Sequence, residues 1–231
     1  MIEWVVDHLA IHGVEEVGLS LGYRPDEFLN SYPDGQISGV PFRVAVEPEP
    51  RGTAGAVRFA ADEFGVDDTF LALNGDVLTD LDISELIAFH RDREAEATIA
   101  LQPVPDPSGF GVVSTFDDGL VKEFVEKPDP GFTTSNHINA GTYVLEPSVL
   151  GRIPAGKEVS IERETFPELV HARTLYAMSS STYWLDTGTP EQFIRANLDV
   201  LAGRRLREAL IPVADVHSGA RVVDSAIGSD T

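Results

Sequence analysis

Thr69-Phe70-Leu71-Ala72-Leu73-Asn74-Gly75-Asp76 is a short apolar run that ends on Asn-Gly-Asp. Phe70 to Leu73 show no alternation, which predicts a strand buried on both faces of a sheet. Gly75 stops the run and a carboxylate follows at once. In an open α/β sheet, ligands sit beyond the carboxyl ends of the strands, so Asp76 stands where a metal ion or phosphate would be held. Asn-Gly-Asp is also ordinary turn chemistry. On this stretch alone the two readings weigh the same.

Upstream of the strand, Ile2, Val5, Val6, Leu9 and Ala10 fall at helical spacing, and Gly13 ends that helix. Residues 14–21 alternate as a strand, residues 24–31 form a short helix opened by Pro25, and residues 42–46 form a strand. Gly52-Thr53-Ala54-Gly55 is a loop of small residues leading into a helix over about 55–64. Downstream, Asp82 caps a helix running to about residue 93. This alternation of helix and strand predicts a mostly parallel sheet flanked by helices. The pattern then changes to strands at 98–104, 111–116, 120–125 and 137–145, with a turn at Asp117-Asp118-Gly119. A helix over 160–172 is capped by Ser160 and carries Glu162 and Glu164 in its first turn. Short strands at 175–178 and 183–185 follow, and Thr189-Pro190 opens a helix to residue 201. In the tail, Val216 and Val222 are six apart, as are Ala220 and Ala226, the period of a left-handed β-helix. Gly228 stands where a third aliphatic residue is due, and a chance spacing in a polar tail is the competing reading.

The 231 residues suffice for one large domain with an appendage, and 42% hydrophobic content can fill a core. No apolar run approaches the about 18 residues of a membrane helix. The amino terminus lacks the basic region and cleavage site of a signal peptide, so a cytoplasmic protein is the expectation. With no cysteine, disulfides and thiolate chemistry are excluded. The net charge of −21 argues against nucleic acid as a partner. Such an acidic surface suits a high-salt cytoplasm, and equally an arginine-rich composition. Only Lys122, Lys127 and Lys157 supply lysine, so a lysine beside an anionic substrate would be informative.

Five constellations carry candidate chemistry. In Glu47-Pro48-Glu49-Pro50-Arg51-Gly52-Thr53-Ala54-Gly55, small residues let a ligand approach the backbone, and the helix start favours anions. An ordinary strand-to-helix loop explains the same residues. Asn74-Gly75-Asp76 is the second, and Phe110-Gly111, where glycine admits a ligand at a strand start, the third. Glu126-Lys127-Pro128 combines an acceptor for sugar hydroxyls with a donor to phosphate, though a solvated pair before a turn reads the same. Trp184-Leu185-Asp186-Thr187-Gly188-Thr189-Pro190 ends a strand on a carboxylate before a helix. Asp76 and Asp186 together would suit one magnesium ion, which takes hard oxygen ligands and substrate phosphates. The histidines are scattered; His8 and His12 read as surface or capping residues.

Taken in order, Gly-Thr-Ala-Gly, Asn-Gly-Asp, Phe-Gly, Glu-Lys-Pro, Asn-Ala-Gly and Trp-Leu-Asp-x-Gly-Thr resemble the sugar-1-phosphate nucleotidyltransferase family. The nearest branch resembles the mannose-1-phosphate guanylyltransferases and the glucose-1-phosphate thymidylyl- and uridylyltransferases. The resemblance implies a Rossmann-like α/β domain over residues 1–205, with 206–231 a linker and the start of a hexapeptide-repeat β-helix. It implies a nucleoside triphosphate and a sugar 1-phosphate as substrates, Mg2+ as cofactor, and is compatible with a homo-oligomer. It makes Asp76 and Asp186 the metal ligands, and adds Lys127, near the sugar phosphate, to the catalytic set. Glu47 stands where a base-contacting residue lies, often glutamine; Gly52 lies in the loop beside the base, and Thr53 and Gly75 join the substrate-binding set. Gly111, Glu126, Asn139, Ala140 and Gly141 stand in the sugar pocket.

One departure is large. The resembling enzymes open with a strand, a Gly-Gly-x-Gly-Thr-Arg loop and a Lys-Pro segment, none of which occurs here. The expectation is an amino-terminally truncated chain with an open core and impaired activity. Two rivals remain: a glycosyltransferase using Asp80-Leu81-Asp82 as a metal motif, and a non-catalytic sugar-phosphate-binding homologue.

Overall fold

The computed structural model describes residues 1–129 and 135–205, and the β-helix expected within 206–231 lies outside the described residues. Two compact units are present, one made of Met1–Gly75 and Asp82–Ser181, the other of Asp76–Leu81 and the chain from Thr182 onward.

The first unit starts with α1 (Ile2–Ile11), which turns Val6 and Leu9 inward. Gly13, at φ +84°, then breaks the helix in the left-handed conformation that glycine adopts without strain. β1 (Val17–Leu21) pairs in parallel with β3 (Val40–Val46), and β2 (Gln36–Ile37) lies antiparallel on the other side of β3. Between them, α2 (Pro25–Ser31) contributes Phe28 to a small core with Val6, Ile37, Val40, Tyr32 and Phe42.

A larger sheet holds β10 (Leu175–Ser179), β6 (Ala97–Pro103), β9 (His137–Leu145), β7 (Gly111–Thr115) and β8 (Val121–Glu126) in that order, and β4 (Phe70–Leu73) pairs with β9. The sheet is mixed, as expected, but the parallel share is smaller than the helix–strand alternation predicts. Among the described pairings only β1–β3 and β10–β6 are parallel. β9 is the hub: β6 and β7 run antiparallel to it, and so does β4. Sequential strands that fold back on one another pair antiparallel, and the stretch after residue 97 is of that kind.

Phe166 is fully buried at the centre of this unit, packed with Ile99, Leu145, Leu169 and Leu175. Phe124 and Tyr143 stack obliquely on its ring, with centroids 5.3 and 5.2 Å away. The core is filled around Phe166, so the expected opening is not found there. The incomplete cover lies elsewhere: Phe70, Leu71, Ala72 and Leu73 are each half-buried rather than buried on both faces. β4 pairs only with β9 among the described strands, so its other edge lacks the neighbour that would complete its burial.

α3 (Gly52–Phe64) starts earlier than predicted, taking the small-residue segment as its first turn, and ends on Gly65 at φ +68°. α4 (Ile83–Asp92) has the predicted cap, Asp82 accepting from the Glu85 N–H at 3.0 Å. His90, on α4, is buried between Thr98 and Glu146, at 2.8 and 3.0 Å. His8 is also buried, at 6% exposure, which corrects the surface reading; its ring packs edge-on to His12. The helix predicted over 160–172 is capped by Ser160 but begins with a wide π-type turn, Ile161–Thr165, before α5 (Phe166–Ala172).

In the second unit, β5 (Val77–Thr79) runs antiparallel to β11 (Trp184–Asp186), with Asp186 opposite Val77. β11 leads into α6 (Pro190–Leu201), capped by Thr189, whose hydroxyl accepts from the Gln192 N–H.

Candidate active site

The two strand-end carboxylates meet. β5 and β11 form a two-stranded ribbon whose register brings the start of one beside the end of the other. Thr187 locks this end: its N–H and its hydroxyl both donate to the Asp76 carbonyl, at 2.8 and 2.7 Å. Gly188 N–H donates to Asp186 Oδ1 at 2.7 Å. A Cβ on Gly188 would stand 3.0 Å from Asp186 Oδ1 and 3.4 Å from Asp76 Oδ2. Glycine leaves that volume open, and two carboxylate oxygens border it. Such hard oxygen donors fit magnesium, which commonly takes one or two carboxylates and completes its shell with water and phosphate oxygens. Among the described residues no group of three or more His, Cys, Asp or Glu forms a metal cage.

The partners of Asp80 and Asp82 remove one rival. Asp80 is 4% exposed in its side chain and pairs with the equally buried Arg205 at 2.7 Å. Asp82 is spent as the α4 cap. Neither carboxylate of Asp80-Leu81-Asp82 is presented to a metal, so the glycosyltransferase motif is a structural ion pair and a helix cap.

In the first unit, the small residues at 52–55 serve a different purpose from the one predicted. A Cβ on Gly52 would meet the Val159 carbonyl oxygen at 2.6 Å, and one on Gly55 the Lys157 carbonyl oxygen at 2.6 Å. The N–H groups of Ala54 and Gly55 donate to Val159 O at 3.0 and 3.3 Å, and Val159 N–H donates to Arg51 O at 2.8 Å. The first turn of α3 is thus closed by the protein's own backbone rather than left as an anion cradle. Thr53 is engaged as well: its hydroxyl donates to Glu162 Oε2 and accepts from the Ile161 N–H, both at 2.8 Å. Glu47 accepts from the Ser20 hydroxyl at 2.7 Å and the Arg51 N–H at 3.2 Å, which leaves lone pairs on both oxygens. Gly75 has open space at its Cβ position.

The predicted sugar-pocket residues do come together. Gly111 opens β7 and Glu126 closes β8 directly opposite it. A Cβ on Gly111 would stand 2.8 Å from Glu126 Oε2 and 2.7 Å from the Phe124 ring, so glycine is what lets this carboxylate lie over β7. Lys127 follows in the left-handed region, φ +47°, with its N–H bonded to Phe110 O at 3.0 Å. A non-glycine residue held there is strained by about 1–2 kcal/mol. Asn139, Ala140 and Gly141 lie on a bulge, where four residues of β9 span two of β6. Gly141, at φ +74°, donates its N–H to Asn139 Oδ1 at 3.0 Å. That bond orients the amide, and Asn139 Nδ2 donates to the Tyr143 hydroxyl at 2.8 Å.

Burial pushes the Glu126 carboxyl above its ordinary range, and the charge of Glu162 adds to this; Lys127 and Arg163 pull the other way. Tyr143 is raised too, first by burial and then, against the Asn139 bond, by the charges of Glu162 and Glu126. Neither Tyr143 nor Glu162 stands out in the sequence. Tyr143 reads as one more apolar position of β9, and Glu162 as an acid in the first turn of a helix.

The family model described as Nucleotidyl transferase matches residues 1–203, and the chain belongs to that family. It is 37% identical over 228 residues to the mannose-1-phosphate guanylyltransferase of Mycobacterium tuberculosis, covering 96% of this chain and 63% of the relative. It is 39% identical over 222 residues to the mannose-1-phosphate guanyltransferase of Yarrowia lipolytica, covering 93% of this chain and 60% of the relative. The chain therefore spans a little over three-fifths of these curated relatives at most. Among solved structures, HddC from Yersinia pseudotuberculosis complexed with GMP-PN superimposes with a TM-score of 0.71 at 27% identity, over 84% of this chain and 83% of that one. No helix among the described residues is long and apolar enough to cross a membrane.

Proposed function

We propose that the protein makes a nucleotide sugar and pyrophosphate from a nucleoside triphosphate and a sugar 1-phosphate, with GTP and mannose 1-phosphate the pair its curated relatives suggest. An oxygen of the sugar phosphate attacks the α-phosphorus, a new O–P bond forms, and the bond from that phosphorus to the bridging oxygen breaks. Pyrophosphate leaves with the electron pair. The nucleophile is already an anion, so no base is needed, and positioning with charge neutralisation carries the rate.

The observation that carries this reading is the convergence of Asp76 and Asp186 over Gly188. These two residues would hold a magnesium ion, which when bound neutralises phosphate charge. Glu126 accepts from sugar hydroxyls, and Lys127 contributes a positive charge to the sugar phosphate. Asn139 and Gly141, on the bulge of β9, join Glu126 in contacting the sugar.

Calorimetric titration of the protein with mannose 1-phosphate and with GTP and magnesium, followed by an assay for pyrophosphate, tests the proposal. Binding of both ligands, with pyrophosphate release requiring both, is the expected result. Sugar transfer to an acceptor without pyrophosphate, or no affinity for either ligand, would overturn it.

A further inference from the structure

Three polar groups beside Phe166 are left with unused hydrogen-bonding capacity. Glu162 Oε2 accepts from Thr53 Oγ1 and Ser160 Oγ, both at 2.8 Å. Its other oxygen has no partner among the described residues. Glu126 lies over Gly111, half-buried, and its carboxylate takes no hydrogen bond among the described residues. Tyr143 is 3% exposed, and its oxygen accepts from Asn139, whose orientation Gly141 fixes. The phenolic proton must therefore point elsewhere, and no described residue accepts it. A buried hydroxyl with a proton to give, within electrostatic reach of two carboxylates with lone pairs to offer, matches the alternating donors and acceptors of a sugar ring.

We propose that Glu162 is a specificity-determining residue, a second carboxylate that with Glu126 and the Tyr143 hydroxyl grips the ring hydroxyls of a hexose 1-phosphate. This rests on the functional reading above. The geometry assigns Glu162 more than a packing role. A carboxylate that served only to join α3 to the turn at 161–165 would need one oxygen, the one that Thr53 and Ser160 hold. Fixing that oxygen also removes the rotamer freedom a glutamate otherwise loses on gripping a ligand. The wide turn helps to set its direction: a π-type first turn shifts the side chains from α-helical phase, and such turns concentrate at functional sites.

Glu162→Gln separates the roles. The amide oxygen can still accept from Thr53 and Ser160, so the packing bonds persist while the free acceptor becomes a donor. Calorimetry with wild type, E162Q and E126Q should use mannose 1-phosphate and, as a phosphate without a ring, glycerol phosphate. E162Q is expected to bind mannose 1-phosphate about tenfold to a hundredfold more weakly, with glycerol phosphate affinity and melting temperature unchanged. A pH series gives a second readout. Sugar affinity should fall as acid protonates Glu126, and in E162Q that fall should move to lower pH, because a neighbouring negative charge is gone. Lys127, Arg163 and the phenol of Tyr143 are unchanged between the two proteins. Normal mannose 1-phosphate affinity in E162Q beside weak binding in E126Q would overturn the inference alone, as would equal losses for both ligands. Failure of the wild type to bind any sugar phosphate would overturn the functional reading along with it.

Discussion

Two helix starts carry glycine where the sequence suggests a ligand, and they differ in what stands at the missing side chain. At α3, the space beside Gly52 and Gly55 is filled by the carbonyls of Val159 and Lys157, and the first N–H groups are bonded to Val159. Before α6, the space beside Gly188 is bordered by two carboxylate oxygens. The first glycines let backbone pack on backbone, while Gly188 leaves room for something that is not protein. Gly111 lies between these cases, since what occupies its space is the Glu126 carboxylate, itself a candidate ligand group.

Substitutions can break this contrast. The largest effect is expected from Asp76→Asn, which should lower turnover by about a thousandfold or more with the melting temperature unchanged, because it removes one of the two proposed metal ligands from an intact ribbon. Steady-state kinetics beside thermal melts would check it. Asp80→Ala, four residues on, should do the opposite: removing the carboxylate of the buried Asp80–Arg205 ion pair should cost about 3–5 kcal/mol of stability in denaturant unfolding. Gly52→Ala comes next, at about 2–4 kcal/mol, from a left-handed φ of +67° together with the clash on Val159. Gly188→Ala should change stability by no more than about 1 kcal/mol and instead weaken magnesium-dependent nucleotide binding, read by calorimetry with and without the ion. If G188A unfolds the protein while G52A is silent, the contrast is reversed.

The smallest effect sharpens the intermediate case. Glu126 has a raised carboxyl pKa, so the folded state holds its proton to higher pH than the unfolded chain. Its favourable contribution is present below the unfolded value and is lost as pH rises through the folded one. At neutral pH the charged group therefore opposes folding. Glu126→Gln should raise the melting temperature by a few degrees at pH 7, and have no such effect near pH 4, while weakening sugar phosphate binding. Glu96 provides the opposite sign. The bidentate Arg152 bond, opposed by burial and helped by Thr174 and Ser148, holds it below the ordinary range. Its stabilisation is present above the unfolded value and is lost as acid carries the pH through the folded one.

Much of this was legible in the sequence because strong patterns are local. α1, α4 and α6 follow from apolar spacing with Asp82 and Thr189 as caps, and β9 from a long apolar run. The pairing of Asp76 with Asp186 was expected from chemistry, but the ribbon that achieves it was not. Val77-Leu78-Thr79 is too short to register as a strand until Trp184–Asp186 lies beside it. That the incomplete cover falls on β4 was not legible, since an apolar tetrapeptide does not say which of its edges is paired. At Gly52–Gly55 and at Asp80 the sequence shows residues fit for ligands, and only long-range partners, Val159 and Arg205, reveal that the protein uses them itself. His90 is buried for a similar reason: Thr98 and Glu146 satisfy both ring nitrogens.

The central claim is that Asp76 and Asp186 hold a divalent ion brought with the nucleotide. Manganese, which can stand in for magnesium on oxygen ligands, allows a direct measurement by electron paramagnetic resonance. Titration of manganese–GTP into the wild type, D76N and D186N should show protein-bound manganese in the first, and its loss in both variants, with all three equally folded by circular dichroism. Undiminished manganese–GTP binding in the two folded variants would contradict the account.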